Sequence, residues 1–232
     1  MNFSFVTIFP QLVSFYFDAS ILKRAVDSSL ITVDYLNPRE YTTDLHKKTD
    51  DYAAGGGAGL VFTPQPLFDL LRFAKSKNKN AHIIFVTPVG KPFNSNDAKR
   101  LSKKESVVLV SGRYEGIDER VIEEFADEVF SVGDFVLTGG ELASLIIADS
   151  TARFIPGVLG KSESFEAESF EDGLLEAPTF SKPTVYENIG TPSILLKGNH
   201  GRISDFKKAV SKIKTKYFRP DLYKKFLSRT KP

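Results

Sequence analysis

Val107–Phe125 reads VVLVSGRYEGIDERVIEEF. Four aliphatic residues lead into Ser111, a glycine-bearing loop follows, and Ile117, Val121 and Phe125 then recur at the spacing of one helix face. The segment predicts a strand over Val107–Ser111, a loop, and a helix over Ile117–Glu124. The same alternation runs outward in both directions. Strands are expected at Phe3–Phe9, His82–Thr87 and Phe130–Leu137, where short runs are rich in β-branched or aromatic residues. Helices are expected at Leu12–Ser28, Pro66–Lys77 and Glu141–Phe154, the last with Leu142, Leu145 and Ile146 as its apolar stripe. Strands alternating with helices predict an α/β body whose largely parallel sheet is covered on both faces.

The chain has 232 residues, 41% hydrophobic and 26% charged, the composition of an ordinary globular enzyme. It has no cysteine, which excludes a disulfide scaffold and thiolate chemistry. The opening MNFSFVTIFP lacks the basic stretch and long apolar run of a signal peptide. No apolar segment approaches the roughly 20 residues that cross a bilayer. A cytoplasmic protein that meets no membrane is expected.

Charge is unevenly spread. From Lys197 onward 12 Lys and Arg face only Asp205 and Asp221, a net +10, so the remainder of the +2 chain carries −8. Tyr217, Phe218, Tyr223 and Phe226 are interleaved with these cations, a combination that fits a nucleic-acid surface and also a solvated helical face. Helical spacing of Ile203, Phe206, Val210 and Ile213 makes this part a small helical domain. Between it and the body, Gly157–Glu176 is rich in Ser, Glu and Gly and reads as a connector. The expected division is a body over 1–160, a connector over 161–176 and a helical domain over 177–232.

Two features point toward a ligand. DDYAAGGGAGL (Asp50–Leu60) lacks the Lys-Ser/Thr ending of a P-loop and the last glycine of GxGxxG, so it reads equally as a tight turn or a binding loop. TPVG (Thr87–Gly90), SGRYEGIDER (Ser111–Arg120) and SVGDFVLTGGE (Ser131–Glu141) each follow an expected strand. In open α/β sheets ligands lie at the carboxyl ends of strands, so three such loops can build one pocket of backbone groups. An adenosine suits it, with Leu137 and Ile117 as covers for the base.

GRYEGIDERV, SVGDFVLTGGELA, ARFIPGVLG and GNH, preceded by VTIFP and DDYAAGGGAGLVFTPQPL in the same order, resemble the signature blocks of the TrmD family of tRNA (guanine-N(1)-)-methyltransferases. The resemblance runs from Phe5 to Tyr223. It implies the SPOUT fold, an α/β parallel sheet with a deep trefoil knot, which periodicity cannot reveal because knots are so rare. It also implies a homodimer, a tRNA substrate methylated at the guanosine of nucleotide 37, and S-adenosyl-L-methionine as methyl donor. By that resemblance the donor sits among Thr87, Pro88, Gly90, Gly112, Tyr114, Glu115 and Gly116. Ser131, Val132, Gly133, Asp134, Phe135, Val136, Leu137, Gly139 and Gly140 complete the cup.

Methylation at guanine-N(1) requires removal of that nitrogen's proton. The family assigns this to an aspartate in an E-D-S-F pattern; the chain reads Ala167-Glu168-Ser169-Phe170, so the matching base is Glu168. A second family aspartate is Glu176 in GLLEAP. Arg153, four residues after Asp149 and able to pair with it along the helix, is implied as the catalytic cation. Asp50, Glu176 and His200 are implied as substrate contacts. The family's use of magnesium directs attention to Glu115, but His46, His82 and His200 are scattered and no metal site is expected from their spacing. The two Asp-to-Glu departures leave an inactive SPOUT-like RNA-binding protein as an alternative. The glycine loops alone leave a nucleotide-binding metabolic enzyme, which has no use for the +10 tail.

Overall fold

The computed structural model describes residues 1–57, 59–160 and 168–229. By internal contacts the chain divides into two compact units, 1–160 and 161–232. Of the expected connector, residues 161–167 lie outside the described part, as do Ala58 of the glycine cluster and Lys231 of the tail.

The first unit carries β1 (Asn2–Val6), α1 (Gln11–Ser14), α2 (Ser20–Asp27), β2 (Thr32–Leu36), β3 (Asp50–Tyr52), β4 (Leu60–Phe62), α3 (Pro64–Lys77) and β5 (His82–Pro92). It continues through α4 (Ser95–Leu101), β6 (Ser106–Ser111), α5 (Glu119–Phe125), β7 (Glu128–Ser131) and α6 (Glu141–Ala152). Five strands form one wholly parallel sheet in the order β2-β1-β6-β5-β7. β6 lies at its centre, every residue buried. Its alternation divides the core. Val107 and Leu109 join Phe3, Phe5 and Ile84 under α2 and α6, whereas Val108 and Val110 join Ile83 and Phe85 under α3 and α5. The α/β parallel architecture is as expected, because strands buried on both faces read as continuous apolar runs.

Several elements differ from expectation: β1 stops at Val6 rather than Phe9 and β5 runs past Thr87 to Pro92. The helix over 12–28 is split: α1 tightens into a 3₁₀ turn at Phe15–Phe17, and the chain breaks before α2, where Ser20 has φ +57°. The strand expected to reach Leu137 ends at Ser131, whose hydroxyl donates to Gly133 O at 3.0 Å and turns the chain out of the sheet. Helix α5 begins at Glu119 rather than Ile117. Asp118 caps it, accepting from Arg120 N at 3.1 Å, while Ile117 bridges to Phe62 of β4. β2, α4 and the β3–β4 hairpin carry no strong periodicity and went unanticipated.

In the second unit β8 (Val185–Tyr186) and β9 (Ile189–Gly190) form a short hairpin, followed by α7 (His200–Phe218) and α8 (Pro220–Arg229). Asn199 caps α7 by accepting from Arg202 N, and Lys212 Nζ sits 5.8 Å from the Phe226 ring centroid, joining the two helices. No helix among the described residues is long and apolar enough to cross a membrane.

Candidate functional site

The sheet's carboxyl edge is where three connections meet. β5 pairs with β7 over Ile84–Val86 and again over Lys91–Pro92, and between these stretches Thr87–Gly90 bulges away from the ladder. Gly90 returns against β7 so closely that a Cβ there would lie 2.4 Å from the Phe130 carbonyl carbon. After β6 the chain passes Gly112 into a loop in which Tyr114 has φ +59° and Gly116 φ +132°. Backbone strain at Tyr114 persists because the loop is pinned: Glu115 N donates to Leu60 O at 2.9 Å, Phe62 N to Gly116 O at 3.0 Å, and Asp118 N to Phe62 O at 3.1 Å. The β3–β4 hairpin thus docks its second strand along this loop. After β7 the third loop returns through Gly140, whose N–H donates to Gly112 O at 2.8 Å.

These loops enclose a cavity of about 360 Å³. Thr87, Pro88, Gly112, Tyr114, Glu115, Gly116, Ser131, Val132, Gly133, Phe135, Val136, Leu137, Gly139 and Gly140 all line it, as does Ile117. Asp134 and Gly90 are not among the lining residues; Gly90 serves the site by letting β5 pass Phe130. Val89, Arg113, Glu119 and Thr138 of the three loops, not singled out by their sequence, also line it, and Phe85, Val86, Ile122 and Ala143 join from the neighbouring strand and helices. Walls are mostly apolar, and backbone of the glycine loops comes to the surface between them.

Arg113 is the consequential omission. Its guanidinium meets the Glu141 carboxylate with Nη2–Oε2 3.0 Å and Nε–Oε1 3.1 Å, donates to Thr138 O at 3.2 Å, and lies 4.8 Å from the Phe9 ring centroid. Glu141, in the first turn of α6, also accepts from Thr7 Oγ1 at 2.7 Å. One buried ion pair thus ties the chain after β1, the chain after β6 and the chain before α6. At the far end of the second loop, Arg120 donates twice to Asp118, holding that carboxyl below its ordinary range.

The remaining predicted residues are distributed. Arg153 closes α6, half-buried, with its backbone N–H on Asp149 O; the Asp149 carboxylate accepts from the Tyr16 hydroxyl. Asp50 opens β3, opposite Phe62, and is half-buried. The adjacent Gly55–Gly57 arc has positive φ at all three glycines and open space around each, so the cluster is the loop of a hairpin. Glu168 and Glu176 belong to the second unit, where Glu176 N donates to Ser169 Oγ at 3.1 Å; His200, exposed, begins α7. Among the described residues no three His, Cys, Asp or Glu side chains gather as metal ligands.

A model of the family described as tRNA (Guanine-1)-methyltransferase TrmD matches residues 1–225. A tRNA (guanine-N(1)-)-methyltransferase of Sulfurovum sp. is 60% identical over 225 residues, covering 97% of this chain and 99% of its own. Its counterpart in Sulfurimonas denitrificans is 58% identical over 221 residues, covering 95% and 96%. That of Campylobacter curvus is 54% identical over 231 residues, covering 100% and 98%. Matched over residues 1–225 by the family model and along nearly all its length by relatives more than half identical to it, the chain belongs to the TrmD family of tRNA (guanine-1)-methyltransferases.

Proposed function

We propose that the chain transfers a methyl group from S-adenosylmethionine to N1 of the guanosine at nucleotide 37 of tRNA, beside the anticodon. The observation that carries this reading is the cup of three glycine loops at the carboxyl ends of β5, β6 and β7. Its volume falls within the roughly 300–1,000 Å³ of small-molecule sites, and its apolar walls with interposed backbone suit an adenosine. When bound, S-adenosylmethionine supplies an electrophilic methyl group on sulfur. Leu137 and Ile117 would cover the adenine, and backbone of the Thr87–Pro88, Gly112–Gly116 and Ser131–Gly140 stretches would read its edge.

Neutral guanine carries a proton on N1, so the nitrogen becomes a nucleophile only as that proton leaves. Glu168 accepts it. Glutamate and aspartate have similar reference pKa values, about 4.3 and about 3.9, so the family's chemistry survives the replacement and only its reach changes. Arg153 binds the guanine carbonyl oxygen, where negative charge grows as N1 is deprotonated. Asp50, Glu176 and His200 contact the nucleoside and its neighbours. The cations of α7 and α8 hold the RNA by its phosphates while the pocket reads one extruded base.

The finer architecture belongs to the same proposal. A SPOUT trefoil knot is what membership of the family implies, and the close packing of Gly140 on Ser111 and Gly112, where a Cβ would lie 2.8 Å from Ser111 Cα, is compatible with it. A homodimer is supported by an apolar face exposed on neighbouring elements, with Leu12 and Phe15 on one and Leu142 and Ile146 on the other. The body, connector and helical RNA-binding part divide at 160 and 176, and the protein works in the cytoplasm.

The test is methyl incorporation from labelled S-adenosylmethionine into unmodified tRNA carrying guanosine or adenosine at nucleotide 37. Incorporation confined to the guanosine substrate, lost in Glu168→Gln while the donor still binds, supports the reading. Tight binding of both ligands without incorporation would establish the inactive RNA-binding alternative instead.

A further inference from the structure

We propose that Ser211 and Thr215 of α7 are positioning residues that hold the loop bearing Glu168 on the RNA-binding helix; this rests on the reading of Glu168 as the base. α7 is a solvated, basic helix in which Thr215 alone is buried, at 0% exposure, between Lys214 and Lys216. A buried hydroxyl there needs partners, and it has two. It donates to Ser211 O at 2.7 Å and accepts from Leu175 N at 2.8 Å. One turn earlier, Ser211 Oγ donates to Leu175 O. Both polar groups of a single loop residue are therefore taken by two side chains at i and i+4 on one helix face.

Leu175 sits at one end of a closed ring of hydrogen bonds. Phe170 N donates to Leu174 O at 2.7 Å, Gly173 N to Phe170 O at 3.2 Å, and Glu176 N to Ser169 Oγ at 3.1 Å. Phe170 at φ +82° and Gly173 at φ +76° make the reversal that closes it. Fixing Leu175 on α7 fixes Ser169, and Ser169 is bonded in sequence to Glu168. The candidate base and Glu176 consequently travel with the helix that carries Lys207, Lys208 and Lys212. Docking RNA on that helix and bringing the base to its place become one event, which a free connector would not achieve.

The experiment compares Thr215→Val, Ser211→Ala and Thr215→Ser with the parent and with Glu168→Gln in the full chain. Single-turnover methyl transfer, dissociation constants for tRNA and S-adenosylmethionine, and melting temperature are measured for each. A displacement of about 1 Å can cost roughly 100-fold in rate, so Thr215→Val is expected to slow transfer ten- to a hundredfold. Both dissociation constants should stay within about twofold of the parent, and Thr215→Ser should restore the rate. Parental rates in Thr215→Val and Ser211→Ala would overturn the proposal, as would tRNA affinity falling in step with rate, which marks a purely structural hydroxyl. If Thr215→Val does not fold, Ser211→Ala decides alone. Full activity in Glu168→Gln would instead sink the base assignment, whereas an inactive Glu168→Gln beside a fully active Thr215→Val sinks only the positioning role.

Discussion

Arg113 and Glu141 face each other at the root of the cup of glycine loops, joined through Nη2–Oε2 at 3.0 Å and Nε–Oε1 at 3.1 Å, with 18% and 5% of their side chains exposed. Removing one partner of such a pair leaves the other charge buried without compensation, which costs about 3–5 kcal/mol. Arg113→Leu should therefore lower unfolding free energy by about 3 kcal/mol in denaturant titrations, and weaken donor binding because Thr138 O loses its donor. An unchanged denaturation midpoint would show that the pair is dispensable.

Among the glycines that line the cavity, Gly140 is expected to be hard to replace. Its missing Cβ would meet backbone, 2.8 Å from Ser111 Cα and 2.9 Å from Gly112 N, and neither atom can swing aside. Gly140→Ala should raise the S-adenosylmethionine dissociation constant at least tenfold, about 1.4 kcal/mol, by calorimetry. Gly160→Ala, whose Cβ would meet nothing within 4 Å, should leave it unchanged.

Stability should fall on acidification partly through Glu128. Burial pushes this carboxyl up, but hydrogen bonds from Arg100 (2.7 Å and 2.9 Å) and His82 (2.7 Å) outweigh it and hold the carboxyl below its ordinary value. A lowered folded-state pKa contributes stability that is present above the unfolded value of about 4.3 and is lost as pH falls through the folded one. Glu128→Gln should thus cost about 1–2 kcal/mol at pH 7, with the gap to the parent narrowing below about pH 4. A gap constant with pH would refute the assignment.

Binding of tRNA should depend steeply on salt through α7. Lys207→Ala and Lys208→Ala should each weaken binding at low salt and reduce the slope of log affinity against log salt by roughly 0.7–0.9 per lost phosphate contact. Slopes equal to the parent's would move the RNA footprint away from this helix.

How much of this was legible varied with how local the cause is. β6 could be read because a strand buried on both faces must be apolar at successive positions, as Val107–Val110 are. Phe135, Val136 and Leu137 continued that signal misleadingly: their apolar character serves a cavity wall, where Val136 remains 83% exposed, not a sheet. The break before α2 has no glycine or proline to announce it, because Ser20 itself takes the left-handed conformation. The glycine loops of the cup were visible as punctuation at strand ends, and their motifs as a resemblance. Arg113 and Glu141 are 28 residues apart, and nothing local to either says they converge. The same holds for Leu175 and Thr215, 40 residues apart.

The bulge at Thr87–Gly90 has both of its feet in the same β5–β7 ladder. Anchored at both ends, it is ordered along with the sheet and not by a ligand. A small molecule entering the cup therefore meets a wall already in place, and the entropy of arranging that stretch is lost when the sheet forms rather than when the ligand binds.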